Sequence, residues 1–194
     1  MPITVAPPKF LFPSKVSVSY DTNFFEYKDN MIEWMRQYSL NNKTFERSNQ
    51  GGYQSPDNFY LQESFAPYLN RITEQIQSMI DSYVSSDDCR EMIGLKISNM
   101  WFNFNYKYSY NTTHVHPGCV LSGVMWVRVP ENSGSLVFEA DNQFGYGTVN
   151  EQCVQDFEPE EGAMVMFPAY LSHRVTQNHN DECRVSIAFN LYET

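Results

Sequence analysis

Little in this 194-residue sequence would send a protein to a membrane, a chromosome or an oxidising compartment. No apolar run approaches the ~20 residues that a membrane-spanning helix needs. The opening Met1-Pro2-Ile3-Thr4-Val5-Ala6-Pro7-Pro8 lacks the basic and apolar blocks of a secretion signal. Positive charge is scarce, with 13 Lys and Arg against 23 Asp and Glu and a net charge of −10. That balance argues against a protein whose work is gripping nucleic-acid phosphates, and against an anionic membrane surface. Cysteines number four (Cys89, Cys119, Cys153, Cys183), widely spread and with no Cys-x-x-Cys pair. Reduced thiols in a cytoplasmic protein are the expectation, with no nucleic-acid or membrane partner. Internal repeats and low-complexity tracts are absent as well.

Apolar and aromatic residues are plentiful, at 42 % and 15 %, enough for one globular domain over residues 1–194. Its first 92 residues read as a strand and a helical layer. Val16 to Tyr20 alternates as a short strand does. Asp29 has the character of an N-cap for a helix through about Leu40, with Ile32, Met35 and Arg36 at helical spacing. A polar loop, Asn41 to Ser55, carries Gly51-Gly52 and reads either as a turn or as a cover folded over a site. Between Asn58 and Tyr83, Phe65, Tyr68, Leu69, Ile72, Ile76, Met79 and Ile80 form one apolar stripe, and Pro67 breaks or restarts that helix.

Beyond residue 93 the chain becomes a series of short strand-like runs with no helices between them. These runs are Gly94–Tyr110, His114–His116, Val120–Val129, Ser135–Ala140, Phe144–Thr148, Ala163–Pro168, His173–Thr176 and Arg184–Tyr192. Such a succession indicates an antiparallel sandwich or barrel. The expected fold is mainly β, a double-stranded β-helix (jelly roll) buttressed by N-terminal helices. Glu158 to Gly162 reads as a solvated acidic turn.

Histidine is the scarce residue with something to say. His114 and His116, one residue apart on a strand, would face the same way and could share a metal ion. His173 offers a third imidazole, and His179 sits in a polar loop and reads as exposed. Arg184 and Ser186, two apart on the last strand, would also share a face. An Arg there can grip a carboxylate with two hydrogen bonds. The bland alternatives are ordinary core or surface histidines and a surface ion pair for Arg184.

The ordered set His114-Val115-His116-Pro117-Gly118, Leu121-Ser122-Gly123, Pro130, Ser133-Gly134-Ser135, Phe167-Pro168, His173 and Arg184-Val185-Ser186 resembles the Fe(II)- and 2-oxoglutarate-dependent oxygenases. Phage and bacterial members with His-x-His-Pro-Gly and Leu-Ser-Gly motifs look most similar. Ser48-Asn49, Gly51 to Ser55, Trp101 with Asn103, and Phe189-Asn190 extend the likeness over most of the chain. The resemblance implies Fe(II), 2-oxoglutarate as cosubstrate, dioxygen, and a hydroxylase-type oxidation in the cytoplasm of a bacterium or a phage-infected host. It further implies His114, His116 and His173 as metal ligands, with Arg184, Ser186 and Asn103 around the cosubstrate. Asn49, Gln54 and Tyr108 would belong to substrate-facing loops, together with the stretch from Asp141 to Tyr146. The substrate would be a small molecule, a peptide or a protein side chain; oligomeric state is left open.

One departure from the superfamily pattern matters. His116 stands where an Asp or Glu is usual. Either all three histidines bind, or His116 is the first ligand with Gly118 in the acidic position, or one histidine only orients another. Two other functions compete: a three-histidine cupin-type dioxygenase that needs no 2-oxoglutarate, and a non-catalytic jelly-roll binding module.

Overall fold

Strand alternation divides the second half of the chain into two faces. A computed structural model describes residues 14–85, 94–139 and 154–193. The strands are β1 (Ser17–Tyr20), β2 (Asn49–Gln50), β3 (Tyr53–Gln54), β4 (Leu95–Asn105), β5 (Tyr110–His114) and β6 (Leu121–Arg128). They continue with β7 (Leu136–Glu139), β8 (Val154–Phe157), β9 (Ala163–Pro168), β10 (His173–Val175) and β11 (Arg184–Glu193). A six-stranded sheet runs β1-β9-β6-β11-β4-β3, and a five-stranded sheet runs β2-β5-β10-β7-β8. Every ladder is antiparallel.

Met100, Phe102 and Phe104 of β4 and Val185, Ile187, Phe189 and Leu191 of β11 point to one side of the larger sheet. There they pack into one cluster with α1 (Phe24–Asn41) and α2 (Ala66–Ser85). The opposite side sends Trp126, Val165 and Phe167 against Leu136 and Phe138 of the smaller sheet. This is the double-stranded β-helix with buttressing helices that the strand pattern predicts. Each large apolar side chain buried this way contributes about 1.5–3 kcal/mol. The polar residues interleaved with them, Asn103, Arg184, Ser186 and Asn190, are thereby turned into the space between the sheets.

The N-terminal elements differ in detail from expectation. α1 begins five residues before Asp29, which is an exposed mid-helix residue. Its start is set by fully buried Phe24 and by Asp21, which accepts hydrogen bonds from Asn23 N–H (2.9 Å) and Tyr27 O–H (2.6 Å). Two short 3-10 turns, Phe59–Leu61 and Glu63–Phe65, precede α2, and Pro67 occupies its first turn, where no backbone donor is needed. The acidic turn before β9 is anchored rather than merely solvated. Glu161 pairs with Lys28 of α1 and accepts a 2.9 Å hydrogen bond from Val129 N–H. β4 stops at Asn105, where the turn Tyr106–Ser109 interrupts the long run expected from 94 to 110. The strand expected over 144–148 and the loop over 141–146 lie outside the described residues.

The Asn49–Gln54 loop is a clasp between the two sheets. β2 pairs with β5 of the smaller sheet, and β3 pairs with β4 of the larger one. The crossing is possible because position 52 has no side chain. A Cβ on Gly52 would sit 2.5 Å from the Phe104 carbonyl oxygen, too close for any real contact. Gly52→Ala is expected to destabilise the protein by about 1–3 kcal/mol, as overpacking of a tight site does. A lowered urea midpoint at unchanged slope is the readout.

Candidate metal centre

His114 ends β5 and pairs in register with His173, the first residue of β10. The two strands therefore bring the rings together, 4.3 Å between centroids. His116 does not share that strand. It lies two residues beyond, held by its own N–H donating to the Ala169 carbonyl (2.9 Å), before a turn in which Gly118 has φ +82°. Strand alternation thus accounts for His114 and not for His116, whose ring is aimed by the loop. A side chain at position 118 would enter open space, since nothing lies within 4 Å of a Cβ built there.

The three histidines place one ligand atom each within 4.8 Å of one another. His114 Nδ1 lies 2.7 Å from the Thr112 carbonyl oxygen, and His173 Nδ1 lies 2.8 Å from that of Leu171. Each Nδ1–H donates to its carbonyl, which leaves the Nε2 lone pair facing the centre. His116 Nε2 approaches His173 Nε2 to 3.2 Å. Burial pulls all three below the ordinary histidine range, His116 to about 3 with help from His173 and His114, and His173 to about 4 with help from His114. At neutral pH the centre is therefore uncharged, and the 3.2 Å contact is a hydrogen bond that His116 can donate from Nε2–H to the His173 Nε2 lone pair. A divalent cation suits such a set of imidazoles. Among the described residues no carboxylate joins the cluster; Glu139 of neighbouring β7 is engaged by Arg174 (2.6 Å) and Thr113 (3.1 Å).

The depressed values fix a pH dependence. In the unfolded chain these imidazoles take up protons near the ordinary 6.5, whereas in the folded chain they resist until about 4 and 3. Stability present above pH 6.5 is therefore lost progressively as pH falls toward 4, because the unfolded state binds more protons there. Metal should counter this loss. Melting temperatures of the metal-free protein are expected to fall across that window, and replacing His116 and His173 together by Gln should flatten the profile.

Behind the histidines the inner face of the larger sheet is a ladder of polar rows. Arg184 stands opposite Asn105, Ser186 opposite Asn103 and Trp126, Ala188 opposite Trp101, and Asn190 opposite Asn99 and Ser122. Arg184 is only 2 % exposed and donates from Nη1 to the Ser133 carbonyl (2.6 Å). Gly134, at φ +89°, lets the backbone pass so close that a Cβ there would stand 2.9 Å from that nitrogen. None of the ion pairs among the described residues involves Arg184. Burial lowers its pKa to about 10. A buried guanidinium on a central strand, without an acidic partner, is poised for an anion rather than for a surface ion pair. The Asn103 side-chain oxygen, beside Ser186 and Gln54 in the register, is also buried without a hydrogen-bond partner. Trp101 bridges the two ends of the space, its ring 5.8 Å from that of His116. From Ala188, level with Trp101, to Arg184 is four residues of strand, ~13 Å at the usual rise.

His114, His116, His173, Asn103, Arg184 and Ser186 thus line one cavity. Gln54 lines an outer cleft that opens beside His114 and His116. Asn49 lines neither space. It is 6 % exposed and accepts a 3.2 Å hydrogen bond from Asn105 Nδ2, which ties the clasp to β4. Tyr108, at φ +67° and exposed, sits on the β4–β5 turn near the Arg184 end, its N–H donating to the Asn178 carbonyl (2.6 Å). Its place is the end of the barrel away from the outer cleft. His179 is exposed, as expected. Arg47, Asp57 and Asn99 also line the outer cleft, and no motif in the sequence marks them.

Comparison with known proteins agrees with this geometry. Residues 99–190, which contain all six cavity-lining candidates, match the family described as "Putative 2OG-Fe(II) oxygenase". Among curated proteins none matches the sequence. Solved structures with the same fold include a prolyl-4-hydroxylase of Pseudomonas putida, 14 % identical, covering 93 % of this chain and 94 % of its own at a TM-score of 0.61. A Trichoplax adhaerens prolyl hydroxylase, solved with a peptide fragment of hypoxia inducible factor, is 11 % identical, covers 92 % and 83 %, and has a TM-score of 0.66. HygX of Streptomyces hygroscopicus, solved with nickel and 2-oxoglutarate, is 11 % identical, covers 93 % and 84 %, and has a TM-score of 0.60. Over residues 99–190 the chain thus resembles the 2OG-Fe(II) oxygenase family.

Proposed function

We propose that the protein is an Fe(II)- and 2-oxoglutarate-dependent oxygenase, a hydroxylase in its reaction type. The observation that supports this most is Arg184, a buried guanidinium without an acidic partner among the described residues, facing the cavity that the three histidines close. Iron and 2-oxoglutarate, when bound, supply the oxidising chemistry: dioxygen is consumed, 2-oxoglutarate becomes succinate and carbon dioxide, and the substrate is oxidised.

The chain's own residues do the rest. His114, His116 and His173 hold the metal through Nε2, with the Thr112 and Leu171 carbonyls fixing two of the rings. Arg184 grips the far carboxylate of the cosubstrate, and the Ser186 hydroxyl and Asn103 carboxamide add shorter-range hydrogen bonds. Trp101, Val124 and Phe167 wall the cavity and keep water away from the reacting atoms. The similar structures are described with peptide or small-molecule ligands, and the substrate here falls in one of those two classes.

Calorimetry of the metal-loaded protein with 2-oxoglutarate tests the reading. Binding with one-to-one stoichiometry is expected; its absence with metal demonstrably in place overturns it. The competing reading, a cupin-type dioxygenase using three histidines and no 2-oxoglutarate, draws on the lack of a carboxylate in the metal cluster among the described residues. It requires dioxygen consumption that Arg184→Ala leaves intact.

A further inference from the structure

We propose that the outer cleft beside the histidines binds a free α-amino acid, its carboxylate at Arg47 and its ammonium group at Asp57. This rests on the reading that the histidine cavity is the reaction centre, and it names the substrate class of that centre. The cleft has a volume of about 410 Å³ and opens directly onto His114, His116 and Trp101. Its rim carries one charge of each sign. Arg47 and Asp57 are exposed, and neither enters an ion pair among the described residues, with the other or with anything else.

The floor of the cleft is built for a polar ligand. Gln54 is only 5 % exposed, yet its side-chain oxygen has no hydrogen-bond partner. A buried acceptor left unsatisfied costs stability, and a ligand N–H would satisfy it. A relay of fixed polarity ends at the same cleft. Ser122 donates to the Asn190 oxygen (2.7 Å), and Asn190 Nδ2 donates to the Asn99 oxygen (2.8 Å). Asn99 is left with its NH2 as a free donor lining the cleft. An unpartnered buried acceptor and an unpaired charge of each sign around one cleft can complement an ammonium and a carboxylate on a single small molecule. A residue inside a peptide chain carries neither charge on its backbone. The apolar surfaces of Trp101 and Val115 remain for the side chain, next to the metal ligands.

The experiment is calorimetric titration of the full chain, loaded with Mn(II) and 2-oxoglutarate, with each standard L-amino acid and with the corresponding N-acetyl amides. At least one free amino acid is expected to bind at about millimolar or tighter affinity, and its N-acetyl amide is expected not to. Arg47→Met and Asp57→Asn, both at exposed positions that leave the fold intact, should each weaken binding about tenfold, as loss of the ligand's charge partner does. Gln54→Leu should weaken it while raising the melting temperature. The assignment is overturned if no free amino acid binds, if the amides bind equally well, or if the charge variants leave affinity unchanged. Prior titration with 2-oxoglutarate alone separates the two readings. If the cosubstrate fails to bind and an amino acid still does, the reaction assignment falls and the cleft assignment stands.

Discussion

Arg184→Met is expected to weaken 2-oxoglutarate binding more than a hundredfold while metal binding stays unchanged. Arg184 is 2 % exposed, and among the described residues its guanidinium's one hydrogen bond goes to the Ser133 carbonyl. Removing one partner from a buried charge pair costs about 3–5 kcal/mol, which at 1.4 kcal/mol per decade exceeds two powers of ten in Kd. The free protein should respond in the opposite direction. Without a bound anion the charge is buried uncompensated, and burial depresses its pKa to about 10. Methionine, of similar length, removes that cost, so the ligand-free variant is expected to melt at the same temperature or higher. Arg184→Lys should fall between the two, because an ammonium supplies charge without the planar two-pronged grip. Equal cosubstrate affinity in wild type and Arg184→Met would sink the assignment. Lost folding would be visible at once in the melt of the free protein.

The same residue shows how far the sequence could be read. Arg184 and Ser186 were legible as a pair because strands alternate; which face is core is shown by the burial of Val185, Ile187 and Phe189. β9 was legible to its ends, since Ala163 to Pro168 is buried on both faces and bounded by Gly162. The first helix was misplaced for a physical reason. Asp29 has capping chemistry, but the helix start is decided by the burial of Phe24 and the Asp21 hydrogen bonds, which are tertiary facts. The clasp at Asn49–Gln54 was visible only as a turn or a cover. Two-residue strands carry no periodicity, and their existence depends on two sheet edges lying close enough to be bridged. Arg47 and Asp57 were invisible for the same reason: nothing local distinguishes a cleft charge from a surface charge. His116 was found by an argument that the fold replaces. Alternation ends at His114, and the loop pinned to the Ala169 carbonyl turns the second ring inward.

That difference between the histidines predicts an order of importance. His173→Ala is expected to reduce metal affinity more than a hundredfold, His114→Ala nearly as much, and His116→Ala least. His173 is 4 % exposed, and both it and His114 have Nδ1 held by a carbonyl, so each Nε2 is presented in a fixed tautomer and direction. Loss of such an outer contact alone typically costs a factor of about 10–100 in metal affinity, so loss of the whole ligand costs more. Among the described residues no hydrogen bond fixes Nδ1 of His116, whose ring is freer to turn. His116→Asp carries the argument further. On the proposed three-histidine set it converts three neutral ligands into two with one anion, the set usual in the superfamily that the chain resembles, and cancels one unit of positive charge at the metal. The variant is expected to keep Fe(II) or Co(II) at equal or higher affinity, while 2-oxoglutarate binds less tightly because the centre attracts an anion less. Cobalt absorption spectra report the ligand set directly. A change of spectrum with metal retained in His116→Asp, and loss of the bound-metal spectrum in His173→Ala, is the expected pair. An unchanged spectrum in His116→Asp would mean that His116 never touches the ion.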